Sequence, residues 1–220
     1  MERAIVDTSE PVTLIGGGEI GPGDLELALT LAPRLVAADG GALAALSAGL
    51  VPEAVIGDFD SLPGAVRGRL PEDRLHPIRE QDSTDFDKAL RSIRAPVVLG
   101  VGFMGARIDH QLAAFNALVR RADRPCVLLG VREVVCHLPR RLSLPCEPGD
   151  VVSLFPLRPV TGRSTGLEWP IDGLTLAPDG RVGTSNRALG PVTLDMDGPG
   201  LLAILPRARL AALTRRFHPG

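Results

Sequence analysis

Four short apolar runs in the first half of the chain each break off into a turn rich in glycine or aspartate. Residues 12–15 (VTLI) lead into GGGEIG, residues 34–38 (RLVAA) into Asp39-Gly40-Gly41, residues 54–56 into GDFDS, and residues 96–101 into GFMGARIDH. Between the runs lie segments with helical spacing. Leu25, Ala28, Leu29 and Ala32 recur at that spacing before Pro33, and residues 42–48 form an alanine-rich stretch closed by Gly49. Phe86, Ala89, Leu90 and Ile93 make a further stripe, and Ile108, Leu112, Phe115 and Leu118 another. Strands alternating with helices specify a mostly parallel α/β sheet. In such sheets ligands bind beyond the carboxyl ends of the strands. All four turns are therefore expected to open on one edge.

That edge is acidic. VIGDFDS and QDSTDFDK place Asp58, Asp60, Asp82, Asp85 and Asp87 in two short motifs, with Asp73 between them. Such carboxylate density is costly unless a cation neutralises it, and oxygen-only ligands suit Mg²⁺. Asp58 and Asp60, two apart, would share a face if the segment were extended and could serve one ion. Thr84 with Asp87 three residues later reads as a capping box that starts the next helix. Lys88 falls on the face of Asp85, where it could pair with that residue or reach a phosphate. Arg107 is a candidate phosphate clamp. His110, beside Asp109 at a helix start, reads as structural.

Other chemistries fit less well. Gly16, Gly18 and Gly21, with Asp39 further on, formally match a dinucleotide fingerprint, but Pro22 and Gly23 interrupt the helix that should follow at once. Lys88 is the only lysine and no Gly-Lys-Ser/Thr occurs, so a Walker-type phosphate loop is excluded. A net charge of −2 gives no reason to expect nucleic acid or a membrane surface as partner. The N-terminal residues lack a signal-peptide core, so a cytoplasmic protein is the expectation. Cys126, Cys136 and Cys146 are too scattered for a zinc site and read as buried thiols.

After residue 138 the pattern changes. Proline or glycine recurs every few residues between short runs such as VVSLFPL, PVTLDM and GLLAILP, and no helical period persists. The expected fold is thus an α/β nucleotide-binding domain over residues 1–138, followed by a smaller all-β sandwich over residues 139–220.

Taken together, the motifs ADGG, GDFDS, QDSTDFDKAL, GARIDH, GLEWPIDG and TSNRALG, in this order, resemble those of the thiamine pyrophosphokinase (thiamine diphosphokinase) family. The resemblance implies Mg²⁺-dependent transfer of diphosphate from ATP to the hydroxyl of thiamine. It also implies a homodimer, with thiamine held between one subunit's sandwich and the other's α/β part. By the same resemblance Asp58, Asp60 and Asp85 are catalytic and metal-binding, and Asp39, Gly40, Arg107 and Asp109 bind nucleotide. Gln81, Thr84, Ser185 and Asn186 then meet the substrate. Two positions depart from the family pattern: Ala106 replaces a glycine before Arg107, and Phe103 stands where small or polar residues are common. Trp169, before Pro170, reads as a core tryptophan, with a cation–π contact to thiamine as the other possibility. Two rivals share these motifs: a diphosphokinase acting on another primary alcohol such as a hydroxymethylpterin, and a non-catalytic nucleotide-binding regulator.

Overall fold

The apolar runs become the parallel part of one large sheet in the computed structural model, which describes residues 4–218. The strands are, in chain order, β1 (Val6–Asp7), β2 (Val12–Ile15), β3 (Arg34–Ala38), β4 (Ala54–Gly57), β5 (Leu75–Pro77), β6 (Ile93–Arg94) and β7 (Val98–Val101). They continue as β8 (Cys126–Leu129), β9 (Glu133–His137), β10 (Arg141–Leu144), β11 (Val151–Pro156), β12 (Gly162–Leu167), β13 (Gly183–Met196) and β14 (Leu201–Pro206). The helices are α1 (Asp24–Leu31), α2 (Gly41–Ser47), α3 (Gly64–Arg67), α4 (Asp85–Arg91), α5 (Ile108–Arg120) and α6 (Leu210–Phe217).

Strands β5, β4, β3, β2, β7 and β8 pair in that order, all parallel. Every residue of β2, β4, β7 and β8 is buried, because helices cover both faces. On one face α4 and α5 pack through Phe86, Ala89, Leu90, Ala114, Ala117 and Leu118. Thr13 is the one polar residue of β2, and its hydroxyl donates to the Ala32 carbonyl at 2.6 Å. Gly41 lets α2 start against the end of β2, since a Cβ there would lie 2.1 Å from the Ile15 carbonyl oxygen.

The sheet does not stop at β8. It turns antiparallel and runs on through β9, β14 and β11 to the first residues of β13. Strand β13 then leaves this layer, and its later residues pair with β10 and β12. It thereby belongs to both β layers of the C-terminal half. Alternate residues of β11 are buried, the pattern of strands with one face on a core. Leu142, Leu144, Val192 and Leu194 meet Val134, Cys136, Val152 and Leu154 in one core that also reaches Ala28 and Ala32 of α1. The expected boundary after residue 138 falls between β9 and β10, and the sheet crosses it through the pairing of β14 with β9.

Three expectations need correction. The C-terminal half is not purely β, because α6 packs on β10 through Leu210 and Leu213. The stripe proposed for α5 starts too early. Ile108 and Leu112 are 77% and 60% exposed, and the buried face is Ala114, Ala117, Leu118 and Val119. Only half of the capping box forms. The Asp87 amide donates to Thr84 Oγ1 at 3.3 Å, but the Asp87 carboxylate turns away to the guanidinium of Arg121, at 2.7 Å and 2.8 Å. The buried thiols are as expected.

The Asp87–Arg121 pair ties the start of α4 to the end of α5. Burial alone would raise the Asp87 pKa, but the hydrogen bonds and charge of Arg121, with Arg120 and Arg91 beyond, outweigh it and hold the carboxyl below its usual range. Removing one partner of a buried pair typically costs about 3–5 kcal/mol. Asp87→Ala should therefore lower the unfolding free energy by that order, read as a lower urea midpoint at unchanged slope. Because the folded pKa is depressed, the wild-type contribution is present above the ordinary carboxylate range and lost as pH falls through the folded value. Denaturation curves at pH 7 and pH 3 should accordingly bring the two proteins closer together at the lower pH.

Candidate active site

Four carboxylates from three chain segments meet at the carboxyl edge of the parallel strands. Asp39 follows β3, Asp58 and Asp60 follow β4, and Asp85 opens α4. One carboxylate oxygen each from Asp39, Asp58 and Asp60 fall within 4.8 Å of one another. The segment joining Asp58 and Asp60, which would put both on one face if extended, is not extended. Phe59 between them has φ 66°, a left-handed conformation costly for a side chain of this size. The Arg67 guanidinium lies 5.5 Å over its ring. The turn brings the Asp60 amide to Asp58 Oδ1 at 3.2 Å and the Ser61 hydroxyl to Asp60 at 2.9 Å. Gly57 makes room for the cluster, since a Cβ there would stand 2.8 Å from the Asp39 Cβ and 3.2 Å from Asp85 Oδ1.

Asp39 is the most enclosed of the four, at 2% exposure. Its Oδ2 accepts from the Ser61 amide at 3.2 Å, while its buried Oδ1 has no hydrogen-bond partner. Burial, then the charge of Asp85, raise its pKa above the ordinary value. Asp58 shifts the other way, chiefly through its hydrogen bond from Lys88. An orphaned carboxylate oxygen among three convergent hard-oxygen ligands fits a divalent cation such as Mg²⁺.

Beside the cluster lies a cleft of about 460 Å³. Gly17 and Gly18 from the first turn, Gly40 and Ser61, Thr84 and Asp85, and Phe103, Met104, Ala106 and Arg107 of the fourth turn all contribute to its wall. The sequence-derived candidates Asp39, Gly40, Thr84, Asp85 and Arg107 are thus together. Asp109 is not in the wall; it pairs with Arg107 on the exposed side, at 2.6 Å and 3.1 Å. Gln81 is exposed in the turn before α4 and also outside the wall. His110, read as structural, does line the cleft. So does Phe103, whose ring packs 4.6 Å from that of Phe86 at 52°. The first turn accommodates that ring because Gly16 carries no side chain: a Cβ there would meet Phe103 at 2.5 Å.

Ser185 and Asn186 lie on β13, away from the cleft wall. Ser185 is exposed, with φ 61°. Asn186 is buried, and its amide is committed to the main chain of the tryptophan loop. Oδ1 accepts from Trp169 N at 3.2 Å and from Arg187 N at 2.8 Å, and Nδ2 donates to Trp169 O at 2.7 Å. The loop so pinned holds Trp169 outward, 55% exposed, which overturns the core reading. Glu168, Trp169 and Pro170 form an exposed bend just after β12.

The fold has known counterparts. A solved thiamin pyrophosphokinase from Candida albicans superposes with TM-score 0.73 at 17% identity, over 90% of this chain and 89% of that one. A solved protein from Lactobacillus plantarum gives 0.75 at 26% identity, over 90% and 98%. In sequence, thiamine pyrophosphokinase 1 of Arabidopsis thaliana is 27% identical over 154 residues, which is 61% of this chain and 58% of that protein. The chain thus spans less than two thirds of the plant relatives it matches. The fold class is that of an α/β sheet continued into a β-rich C-terminal part, as in these structures. Family models for the thiamin pyrophosphokinase catalytic domain and vitamin B1 binding domain match residues 25–128 and 137–201, well over half of the chain together. The chain belongs to the thiamine pyrophosphokinase family.

A raised carboxylate pKa in the fold means that the Asp39 contribution to stability is full below the ordinary value and is lost as pH rises through the folded value. A divalent cation offsets that loss by binding the folded state alone. Mg²⁺ should therefore raise Tm more at pH 7 than at pH 4, and Asp58→Asn should shrink the shift, as scanning calorimetry with and without chelator would register.

Proposed function

We propose that the chain is a thiamine diphosphokinase, transferring the terminal diphosphate of ATP to the hydroxyethyl oxygen of thiamine with release of AMP. The observation that carries this reading is the convergent Asp39–Asp58–Asp60 cluster beside the glycine-walled cleft, in a chain of this family. Asp39, Asp58 and Asp60, with Asp85 adjoining, would hold Mg²⁺. When bound, the ion supplies charge neutralisation for the phosphates and the departing AMP. Gly17, Gly18 and Gly40 allow phosphate oxygens to approach backbone, and Arg107 at the cleft mouth pairs with further oxygens. The thiamine hydroxyl oxygen bonds to the β-phosphorus as the bond from that phosphorus to the α–β bridging oxygen breaks. The alcohol's proton passes to the Asp85 carboxylate, and Thr84, next to it in the wall, orients the hydroxyl. Gln81 and Asp109, both exposed near the mouth residues Thr84 and Arg107 in sequence, would close on substrate from outside.

The thiamine ring needs a second wall. Trp169 offers an exposed indole suited to a thiazolium cation. In a homodimer the sandwich of one subunit, with Trp169, Ser185 and Asn186, would cover the cleft of the other. Residues 1–138 then act as the nucleotide-binding part and residues 139–220 as the thiamine-binding part, in the cytoplasm. No helix among the described residues is long and apolar enough to cross a membrane.

An AMP-release assay with thiamine, ATP and Mg²⁺ tests the reading. Turnover should require all three, and Asp58→Asn and Asp85→Asn should each lose about 100-fold or more in kcat. Near-wild-type rates in both variants would refute the carboxylate mechanism, and faster turnover of a hydroxymethylpterin would reassign the substrate. Asn186→Ala should raise KM for thiamine by about tenfold with ATP affinity unchanged, because it frees the tryptophan loop without touching the cleft. Initial rates with each substrate varied in turn would separate the two constants.

A further inference from the structure

Of the chain's 24 lysine and arginine residues, Lys88 alone is lysine. Among the described residues it is also the most enclosed basic side chain, at 1% exposure and among the largest fully buried residues of the fold. The position where the arginine bias fails is therefore one where a cation is sealed inside. Its Nζ lies 2.6 Å from Asp58 Oδ2 and 3.2 Å from Asp85 Oδ1. Those carboxylates stand on separate elements, Asp58 after β4 and Asp85 at the first position of α4. An ammonium is a compact charge that can sit between two carboxylates at a shared point, whereas a guanidinium presents a broad planar fork. The lysine itself is well held. Its amide donates to the Thr84 carbonyl at 2.9 Å and its carbonyl accepts from the Ser92 hydroxyl at 2.7 Å, while its neighbour Asp87 is clamped to Arg121.

We propose that Lys88 is a resident cation and positioning residue of the site. It ties Asp58 to Asp85 where a second divalent ion would otherwise be needed, so that the acidic edge has its working shape before metal or nucleotide arrives. Four carboxyl groups gather around this edge, and one fixed positive charge inside it leaves Asp39 and Asp60 to complete the ligand set for a single exchangeable ion. The role rests on the diphosphokinase reading for its catalytic consequence, and on the ion-pair geometry alone for its effect on metal binding.

The test compares wild type, Lys88→Met and Lys88→Arg by Mn²⁺ binding without nucleotide, followed by paramagnetic resonance of the free ion, and by steady-state AMP release. Lys88→Met removes the competing internal cation and should bind Mn²⁺ about threefold tighter or more. Its kcat should fall about tenfold or more, with KM for thiamine within about twofold, since Asp58 and Asp85 lose their register while the thiamine wall is untouched. Lys88→Arg keeps the charge, so Mn²⁺ affinity should stay near wild type while kcat remains depressed. Wild-type kcat in Lys88→Met, or Mn²⁺ binding that weakens in step with a lower Tm, would overturn the proposal and leave an ordinary structural ion pair. Should Lys88→Met not fold, wild-type kcat in Lys88→Arg overturns it equally. If wild-type protein releases no AMP but Lys88→Met still tightens Mn²⁺, the diphosphokinase reading fails and the resident-cation role stands.

Discussion

Repulsion among converging carboxylates is the constraint to which the rest of the structure answers. Asp39, Asp58 and Asp60 converge within 4.8 Å with Asp85 alongside, and Asp39, the buried one of the four, has the least water to screen its charge. The chain meets it with several devices at once: the Ser61 amide and hydroxyl, the left-handed turn at Phe59 that lets the Asp60 amide reach Asp58, and the enclosed Lys88. The oxygen of Asp39 left without a partner marks what remains for a ligand to satisfy. Function here is the residue of charge that folding does not neutralise.

The supporting scaffold is ordered around that edge. The parallel strands are buried on both faces, so their ends are fixed by packing and not by the turns themselves. Helix α4 carries Thr84, Asp85 and Lys88 and is held from its far side by the Asp87–Arg121 pair. A residue with no contact to the cleft thereby governs the register of three that bear on it. Glycine does the complementary work. At Gly41 and Gly57 the absence of a side chain lets backbone and carboxylate approach more closely than any Cβ permits.

Much of this was legible in the sequence because it rests on local rules. Buried strands ending in Gly/Asp turns announced both the parallel sheet and the edge where side chains would collect, and β2 and β3 begin and end where their apolar runs do. The Thr84 cap was equally visible. What escaped depends on partners distant in the chain. Asp87 had the spacing of a cap, but its carboxylate found Arg121, 34 residues away. Trp169 had the chemistry of a core residue, and only the pairing of its main chain with Asn186 reveals that it is held outward. Helix α6 shows just two buried leucines three apart, too short a period to stand out among prolines and arginines. The α5 stripe misled for the opposite reason: its first turn leaves the core, so a good period there describes a surface.

Strand β13 has a mechanical consequence. Its 14 residues lie in both β layers, and the first layer is hydrogen-bonded without a break through β11, β14 and β9 to the parallel strands. Two-part enzymes often seize a substrate by swinging one half against the other about a linker. A girder shared in this way leaves no soft joint between the two halves, so bending them would mean shearing a ladder of backbone bonds. Whatever opens and shuts over the cleft must then be smaller than a domain: the turn that carries Arg107, the stretch that carries Gln81, or a neighbouring molecule arriving whole.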